Sequence, residues 1–393
     1  VRESEILKPY RVNEICFKEQ EMVLSLFKKN IKNDKVKGSS GARYFNLTVK
    51  EVIKETDDAV SIIFSNPENI ITYLPGQYLT LILDIEGEEI RRSYSLSSSP
   101  DLDPTLCVTI KKVDNGKVSK YLVDKIKPGD EIKVMEPKGN FTTEFDQENE
   151  RSFVLFAGGS GMTPIMSIMK SALVSEPKSD ITLIYQNRTE DSIIYKKILH
   201  ELEDQYHDRL KVIHILSKPD ENWDGFKGRL TQDIILDIFR QNQLKAERSS
   251  VFTCGPQGMM DTVESGLDLL SVDKKNRHKE SFYNPGKNIK DIAKVEEEIN
   301  SDTESLVTIM LDNEEHQIVV KSNDYILETA LDADINMPFS CQGGICTSCR
   351  GKLLSGNVKM DDPDGLSDEE IEEGYILTCV SHPVSKDVKI EMG

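Results

Sequence analysis

Cys341, Cys346 and Cys349 are spaced by four and then two residues, and Cys379 follows after another 29. Four thiolates in this C-x4-C-x2-C…C order suit a two-iron, two-sulfide cluster, with two sulfurs on each iron. Gly343, Gly344 and Gly351 let the backbone wrap closely, which brings amide hydrogens towards the sulfurs. The alternative is a structural zinc site, which also takes four cysteines. Such sites usually come as two C-x-x-C pairs, and only one is present here. A cluster of this type works at about −400 mV, so the segment would carry single electrons at low potential.

Two further constellations lie upstream. Arg92-Ser93-Tyr94-Ser95 follows Pro75-Gly76-Gln77-Tyr78 and precedes Gly116-Lys117-Val118-Ser119. Arginine pairs with a diphosphate, a tyrosine ring stacks on an isoalloxazine, and a hydroxyl reaches the ring edge, so the set fits a flavin. Amides at the helix start after Gly116 would hold phosphate. The other constellation is Ala157-Gly158-Gly159-Ser160-Gly161-Met162-Thr163-Pro164, between an apolar strand and a helix. Its glycines admit a diphosphate, and Pro164 suits the first helical turn, where its missing amide is not needed. Cys254-Gly255-Pro256-Gln257-Gly258 sits at a second strand-to-helix junction, so both loops would share the carboxyl edge of one sheet. That edge would take a nicotinamide dinucleotide, with Cys254 beside the ring. Arg188 and Thr189, with no acidic residue at Asn187, lean slightly towards NADPH over NADH, although Glu190 and Asp191 follow closely.

Positioning these residues takes three kinds of element. From Tyr44 to about Phe145, short alternating runs at Phe45–Val52, Ala59–Phe64, Tyr78–Ile85, Arg92–Leu96 and Leu106–Val113 predict a small antiparallel barrel with a helix at Val118–Lys125. From Arg151 the strands Phe153–Phe156, Ile181–Tyr185, Lys211–Leu216 and Ser250–Cys254 alternate with helices Thr163–Val174, Ser192–Gln205, Thr231–Gln241 and Gly258–Leu270. This predicts a parallel sheet with helices on both faces. Near the end, a hairpin at Leu306–Leu311 and His316–Lys321, a helix at Tyr325–Ala333 capped by Asp324, and the cysteine loop predict a compact α+β (β-grasp) unit. The expected divisions are an extension at 1–43 with a basic amphipathic helix within Cys16–Lys32, then 44–146, 147–283, a linker at 284–303, and 304–393.

Composition agrees with several soluble domains: 393 residues, 38% hydrophobic and 30% charged. Asp and Glu number 68 against 49 Lys and Arg, a net charge of −19, which argues against nucleic acid or anionic membrane as a partner. Glu304–Gly393 alone carries eighteen acidic and six basic residues, and Asp361, Asp362, Asp364 and Asp368–Glu370 offer a surface for a basic acceptor. Seven cysteines are too few for a disulfide scaffold, and Val1–Asn30 has no apolar core of a signal peptide. The charge-free run Ser152–Met169 is broken by three glycines and Pro164, so a cytoplasmic protein is expected.

In this order the constellations resemble the ferredoxin–NADP reductase superfamily carrying a C-terminal plant-type ferredoxin. The phrases RRSYSLSSSP, YQNRTEDSIIY, FTCGPQGMMD and CQGGICTSCRGKLLSGNVKM look most like the reductase components of phenylacetyl-CoA epoxidase and ketosteroid hydroxylase systems. The resemblance implies FAD rather than FMN, because FMN-using relatives differ around Thr109–Ser119, a segment holding Thr109, Lys111, Gly116 and Val118. It implies that Tyr78, Arg92, Ser93, Tyr94, Ser95 and Ser119 hold FAD. It also implies that Gly159, Ser160, Gly161, Thr163, Pro164, Cys254, Gly255 and Pro256 contact NAD(P)H. Glu280 and Phe282, in HKESFYNPG, would pack near the flavin and join Ser95 and Cys254 around the hydride transfer.

The implied work is electron splitting. NAD(P)H gives two electrons together, a two-iron cluster takes one at a time, and a flavin handles both. The chain has no globin segment and no diiron Glu-x-x-His pair, so the terminal oxidation would belong to a partner oxygenase. Other acceptors, such as a hybrid-cluster protein or a desaturase, fit the same chemistry. A docking protein with a structural metal is the reading from another class. His382 reads as a surface residue and Cys107 as a core residue.

Overall fold

The computed structural model describes residues 43–66, 70–113, 116–282, 304–361 and 363–392. The helix expected within Cys16–Lys32, the linker at 284–303 and Asp362 lie outside them. The described residues all belong to one unit, Ser40–Gly393.

The first sheet contains β1 (Tyr44–Thr56), β2 (Ala59–Phe64), β3 (Tyr78–Ile85), β4 (Glu88–Ser95), β5 (Leu106–Lys111) and β6 (Glu131–Lys138). Its order is β4-β3-β6-β1-β2-β5, antiparallel throughout, and a bridge between Leu96 and Val108 ties the two edge strands together. The sheet therefore closes into the expected barrel, and helix α1 (Lys117–Lys125) follows β5. Leu79, Leu81, Ile62, Val108 and Leu122 fill the interior. Strand β3 is buried at seven of its eight positions, so its outward face is covered as well as its inward one.

The second sheet is wholly parallel. It contains β7 (Ser152–Gly158), β8 (Asp180–Asn187), β9 (Leu210–Leu216), β10 (Phe226–Lys227), β11 (Ser249–Cys254) and β12 (Arg277–Glu280), ordered β10-β9-β8-β7-β11-β12. Helices α2 (Met162–Ser175), α3 (Lys196–Gln205), α4 (Gln232–Gln241) and α5 (Gln257–Leu269) make the crossovers. Strand order reverses between β7 and β11, and crevices at such reversals bind ligands in open α/β sheets. One apolar cluster spans Ala59 and Phe141 of the barrel half and Met162, Ile165 and Phe252 of this half, which fixes the two together.

The third sheet, β14-β13-β19-β15-β17, contains β13 (Glu304–Leu311), β14 (Glu314–Lys321), β15 (Arg350–Ser355), β17 (Tyr375–Leu377) and β19 (Asp387–Met392). Helix α6 (Ile326–Asp332) packs on it, β16 (Val358–Met360) pairs with β18 (Ser381–Pro383), and the short α7 (Asp368–Glu372) precedes β17.

Three local expectations need correction. The helix predicted from Ser192 starts at Lys196, because Tyr195 takes a left-handed conformation, φ 63°, and its amide donates to Glu55. Asp324 does not cap α6: Tyr325 occupies the cap position, and no side chain bonds the helix start. His382 is not a surface residue, since its ring packs at a tilt on Tyr325 and pairs with Asp361 at 2.9 Å.

Candidate functional site

Strands β3 and β4 present one polar face outward. Opposed residues in an antiparallel pair share a face, and here Tyr78 opposes Ser95 while Thr80 opposes Ser93. The face addresses both other halves of the molecule. Ser95 donates a hydrogen bond to the Glu280 carboxylate at 3.1 Å, reaching the last residue of β12. Ser93 meets Ser340, next to Cys341, at 2.6 Å. The Tyr78 hydroxyl accepts from the Thr347 amide at 3.2 Å and lies 3.3 and 3.1 Å from the Thr347 and Ser348 hydroxyls, between Cys346 and Cys349.

Glu280 and Cys254 stand side by side, paired in the register of β11 and β12. Removal from water pushes the Glu280 carboxyl up to about 8, even though part of the residue still reaches the surface. Burial, and then the nearby Glu280 charge, push the Cys254 thiol up, so it stays neutral. This corner therefore holds a protonatable acid and a thiol with a hydroxyl between the barrel and the parallel sheet.

The two glycine loops meet here at backbone distance. A Cβ on Gly161 would lie 2.2 Å from the Cys254 carbonyl oxygen, and one on Gly158 would lie 2.7 Å from the Pro256 ring. Gly159 has a positive φ of 55° with nothing within 4 Å of its missing Cβ, which leaves the turn open. The Tyr185 hydroxyl bonds its carbonyl at 2.9 Å and fixes the turn. No side chain caps α2, but a short 3₁₀ turn, Gly159–Gly161, runs into it. The Met162 amide donates to the Gly159 and Ser160 carbonyls and Thr163 turns its hydroxyl back to the Ser160 carbonyl at 3.0 Å, so an anion would be met by the glycine turn ahead of the helix. Pro256 and Arg188 are exposed, while Thr163 and Pro164 are buried. Phe282 ends the described stretch half-exposed, at 42%.

On the barrel, Arg92 is an exposed cation and Tyr94 is half-buried with its ring against the core. The start of α1 at Gly116 is likewise uncapped. An accessible cation, an aromatic ring, the Ser95–Glu280 corner and open helical amides form a donor set that fits a flavin dinucleotide. Other residues of the expected FAD set point elsewhere. The Thr109 hydroxyl is bound by Ser61 and Tyr195, Lys111 pairs with Asp58 at 3.5 Å, and Val118 lies in the core. Ser119 accepts from the Val113 amide, and Tyr78 and Ser93 face the cysteine loop. Strand alternation explains Thr109: its side chain faces the parallel-sheet half, where Tyr195 reaches it.

The four thiols come together without disulfides. Cys341 is in hydrogen-bond contact with Cys346 and Cys379, and Cys349 with Cys379. Shared protons hold Cys341 and Cys349 down, while Cys346 and Cys379 are pushed up. The Gly343 amide donates to the Cys341 sulfur at 3.4 Å, the kind of contact the glycine-rich loop predicts. Among the described residues no three or more His, Cys, Asp or Glu side chains are arranged to hold a single ion. The four thiols meet in one continuous run, Cys346–Cys341–Cys379–Cys349, and their spacing in the chain is the donor set that fits a two-iron cluster.

Sequence reasoning missed Lys138, the last residue of β6, whose ammonium is pushed down by burial and feels the charges of Glu136, Arg350, Cys349 and Cys346. It also missed Asn140, whose amide donates to Glu370 at 2.7 Å across the same junction. Neither carries a signal in sequence, since both depend on where the third sheet rests.

Comparison with known proteins decides the family. Residues 44–143 match the oxidoreductase FAD-binding domain, 155–265 the oxidoreductase NAD-binding domain, and 309–384 the 2Fe-2S iron-sulfur cluster binding domain. The ferredoxin reductase component of 3-ketosteroid-9-alpha-monooxygenase from Rhodococcus rhodochrous is 36% identical over 358 residues, covering 89% of this chain and 97% of that protein. The chain belongs to the ferredoxin reductase components of oxygenase systems. A component of 1,2-phenylacetyl-CoA epoxidase from Escherichia coli K12 is 34% identical to this reductase over 352 residues, covering 88% of this chain and 97% of that component. Among solved structures, phthalate dioxygenase reductase superposes with a TM-score of 0.54 at 26% identity, covering 88% of this reductase and 98% of that chain. FAD, a pyridine nucleotide and a two-iron cluster are thus the cofactors of this reductase. Among the described residues no helix is long and apolar enough to cross a membrane.

Proposed function

We propose that this reductase passes electrons from NAD(P)H to an oxygenase of the phenylacetyl-CoA epoxidase or steroid- and ring-hydroxylating kind, with the hydride exchanged at the corner of Ser95, Glu280 and Cys254. The observation that carries this reading is the Ser95–Glu280 hydrogen bond, which joins the barrel strand of the RxYS motif to the carboxyl edge of the nucleotide sheet. When bound, FAD takes the hydride as NAD(P)H becomes NAD(P)⁺, and it gives up the two electrons singly to the two-iron cluster.

The chain's own residues bind and orient. Arg92 would pair with the diphosphate, Tyr94 would flank the isoalloxazine, and Ser95 with Glu280 would hold a proton donor at the ring edge. The Gly159–Gly161 turn ahead of α2 would take the nucleotide diphosphate, and Cys254 closes the site as an uncharged neighbour. Exposed Arg188 favours a 2′-phosphate, so NADPH is the proposed donor. Cys107 and Cys254, the two described cysteines outside the cluster loop, are in no disulfide, which supports a reducing, cytoplasmic setting.

Replacing one cluster ligand tests the modular scheme. Cys346→Ser should abolish the visible cluster spectrum while NAD(P)H-dependent ferricyanide reduction and FAD content stay within about twofold of the parent. Loss of both activities in a folded variant would overturn the proposal.

A further inference from the structure

Tyr78 and Ser93 were expected to hold FAD, yet both hydroxyls are committed to the cysteine loop. Ser93 reaches Ser340, immediately before the first cluster cysteine, at 2.6 Å. Tyr78 reaches Thr347 and Ser348, the two residues between the second and third cysteines, through three contacts of 3.1 to 3.3 Å. The cysteine loop is therefore gripped on either side of Cys341 and Cys346. Tyr78, Thr347 and Ser348 are all buried, and water competes poorly for such bonds.

The grip sits on the face that carries the hydride corner. Ser93 and Ser95 are two residues apart on β4, a separation of about 7 Å along a strand. One hydroxyl addresses Glu280 of the nucleotide half and the other addresses Ser340 of the cluster half. Tyr78, opposite Ser95, completes the arrangement. The guanidinium of Arg91 over the Phe339 ring at 4.5 Å, and Asn140 on Glu370 at 2.7 Å, extend the same junction.

We propose that Tyr78 and Ser93 are positioning residues that seat the cysteine loop on the flavin-side strands and thereby set the rate of electron passage from flavin to cluster. The inference rests on the reductase reading and goes beyond it by giving these two residues a task other than holding FAD. It needs no new reactant: one electron leaves the reduced flavin, the cluster gains it, and the hydroxyls keep their protons.

The test uses the full chain loaded with FAD and cluster, as Tyr78→Phe, Ser93→Ala and the conservative Ser93→Thr. Hydrogen–deuterium exchange followed by mass spectrometry reads the peptide containing Thr347. Tyr78→Phe should speed exchange there at least fivefold, with the nucleotide half unaffected. In stopped-flow mixing with NADPH, flavin bleaching should stay within twofold, while cluster bleaching should slow at least fivefold in Tyr78→Phe and Ser93→Ala and recover in Ser93→Thr. A general loss of structure would slow both steps together and overturn the proposal. So would loss of FAD from Tyr78→Phe, or unchanged exchange together with unchanged cluster reduction. A parent protein whose cluster is reduced by neither NADPH nor NADH would sink the functional reading instead, and the exchange measurement would still decide whether Tyr78 seats the loop.

Discussion

Among single residues, Glu280 has the most distinctive electrostatics. Its carboxyl is lifted from 4.5 to about 8 by desolvation, so at neutral pH the folded protein keeps a proton there that the unfolded chain releases. Where the folded state binds more protons, stability falls as pH rises, and this loss should run from about pH 4.5 to about 8. Glu280→Gln should remove that component. Thermal unfolding of the parent should show a midpoint that declines across this window, and the variant a flatter profile. Equal slopes would mean that the carboxyl is not held protonated. The Glu280 position was legible in the sequence only through resemblance. Its partnership with Ser95 was not, because the two lie 185 positions apart and nothing local predicts their meeting.

For the elements, the outcome depended on how local the cause was. Five barrel strands, the main parallel strands and the cysteine loop follow from periodicity, turn residues and spacing, and the structure has them; β6, in the middle of the first sheet, was not anticipated. Strand β12, Arg277–Glu280, contains no apolar residue and is recognisable as a strand only from its parallel pairing with β11. The start of α3 was misplaced because Glu55, far away in β1, holds the Tyr195 amide in a non-helical turn. The thiol loop was legible because its chemistry is written in spacing; the FAD set was only partly legible, since outward and inward faces of β5 cannot be told apart before the parallel sheet packs on them. The two glycine loops give the test at this scale. Gly161 has a normal backbone conformation but no room, and its Cβ would strike backbone rather than a yielding side chain. Gly161→Ala should cost roughly 1–3 kcal/mol of stability. Denaturant unfolding should register that cost, and the KM for NAD(P)H should rise several-fold with the displaced loop. An alanine variant with parental stability and KM would mean that the loops do not abut as described.

Across the whole molecule, charge separates two kinds of junction. The described contacts between barrel and cluster sheet are hydroxyl pairs, an amide on a carboxylate and a cation over a ring, with no ion pair among the described residues crossing between them. The acidic stretch offered to an acceptor is also smaller than its sequence implies, because Asp361 is engaged by His382 and Glu370 by Arg350. Asp364, Asp368 and Glu369 remain exposed. Raising salt from about 20 to about 150 mM shortens the reach of exposed charges. It should slow electron delivery to the true acceptor several-fold and leave cluster reduction by NAD(P)H nearly unchanged. A delivery rate indifferent to salt would remove the acidic surface from the docking account. The shape of the cysteine loop has a further consequence. It is gripped at Ser340 and at Thr347–Ser348, while Gln342, with a left-handed φ of 55°, stands exposed between the two grips. A loop held at both ends and open between them is a junction with separate input and output terminals, not a ferry between two banks. If the grip lasts through turnover, the cluster can be refilled while the acceptor is still docked, and delivery of two electrons needs no departure between the first and the second.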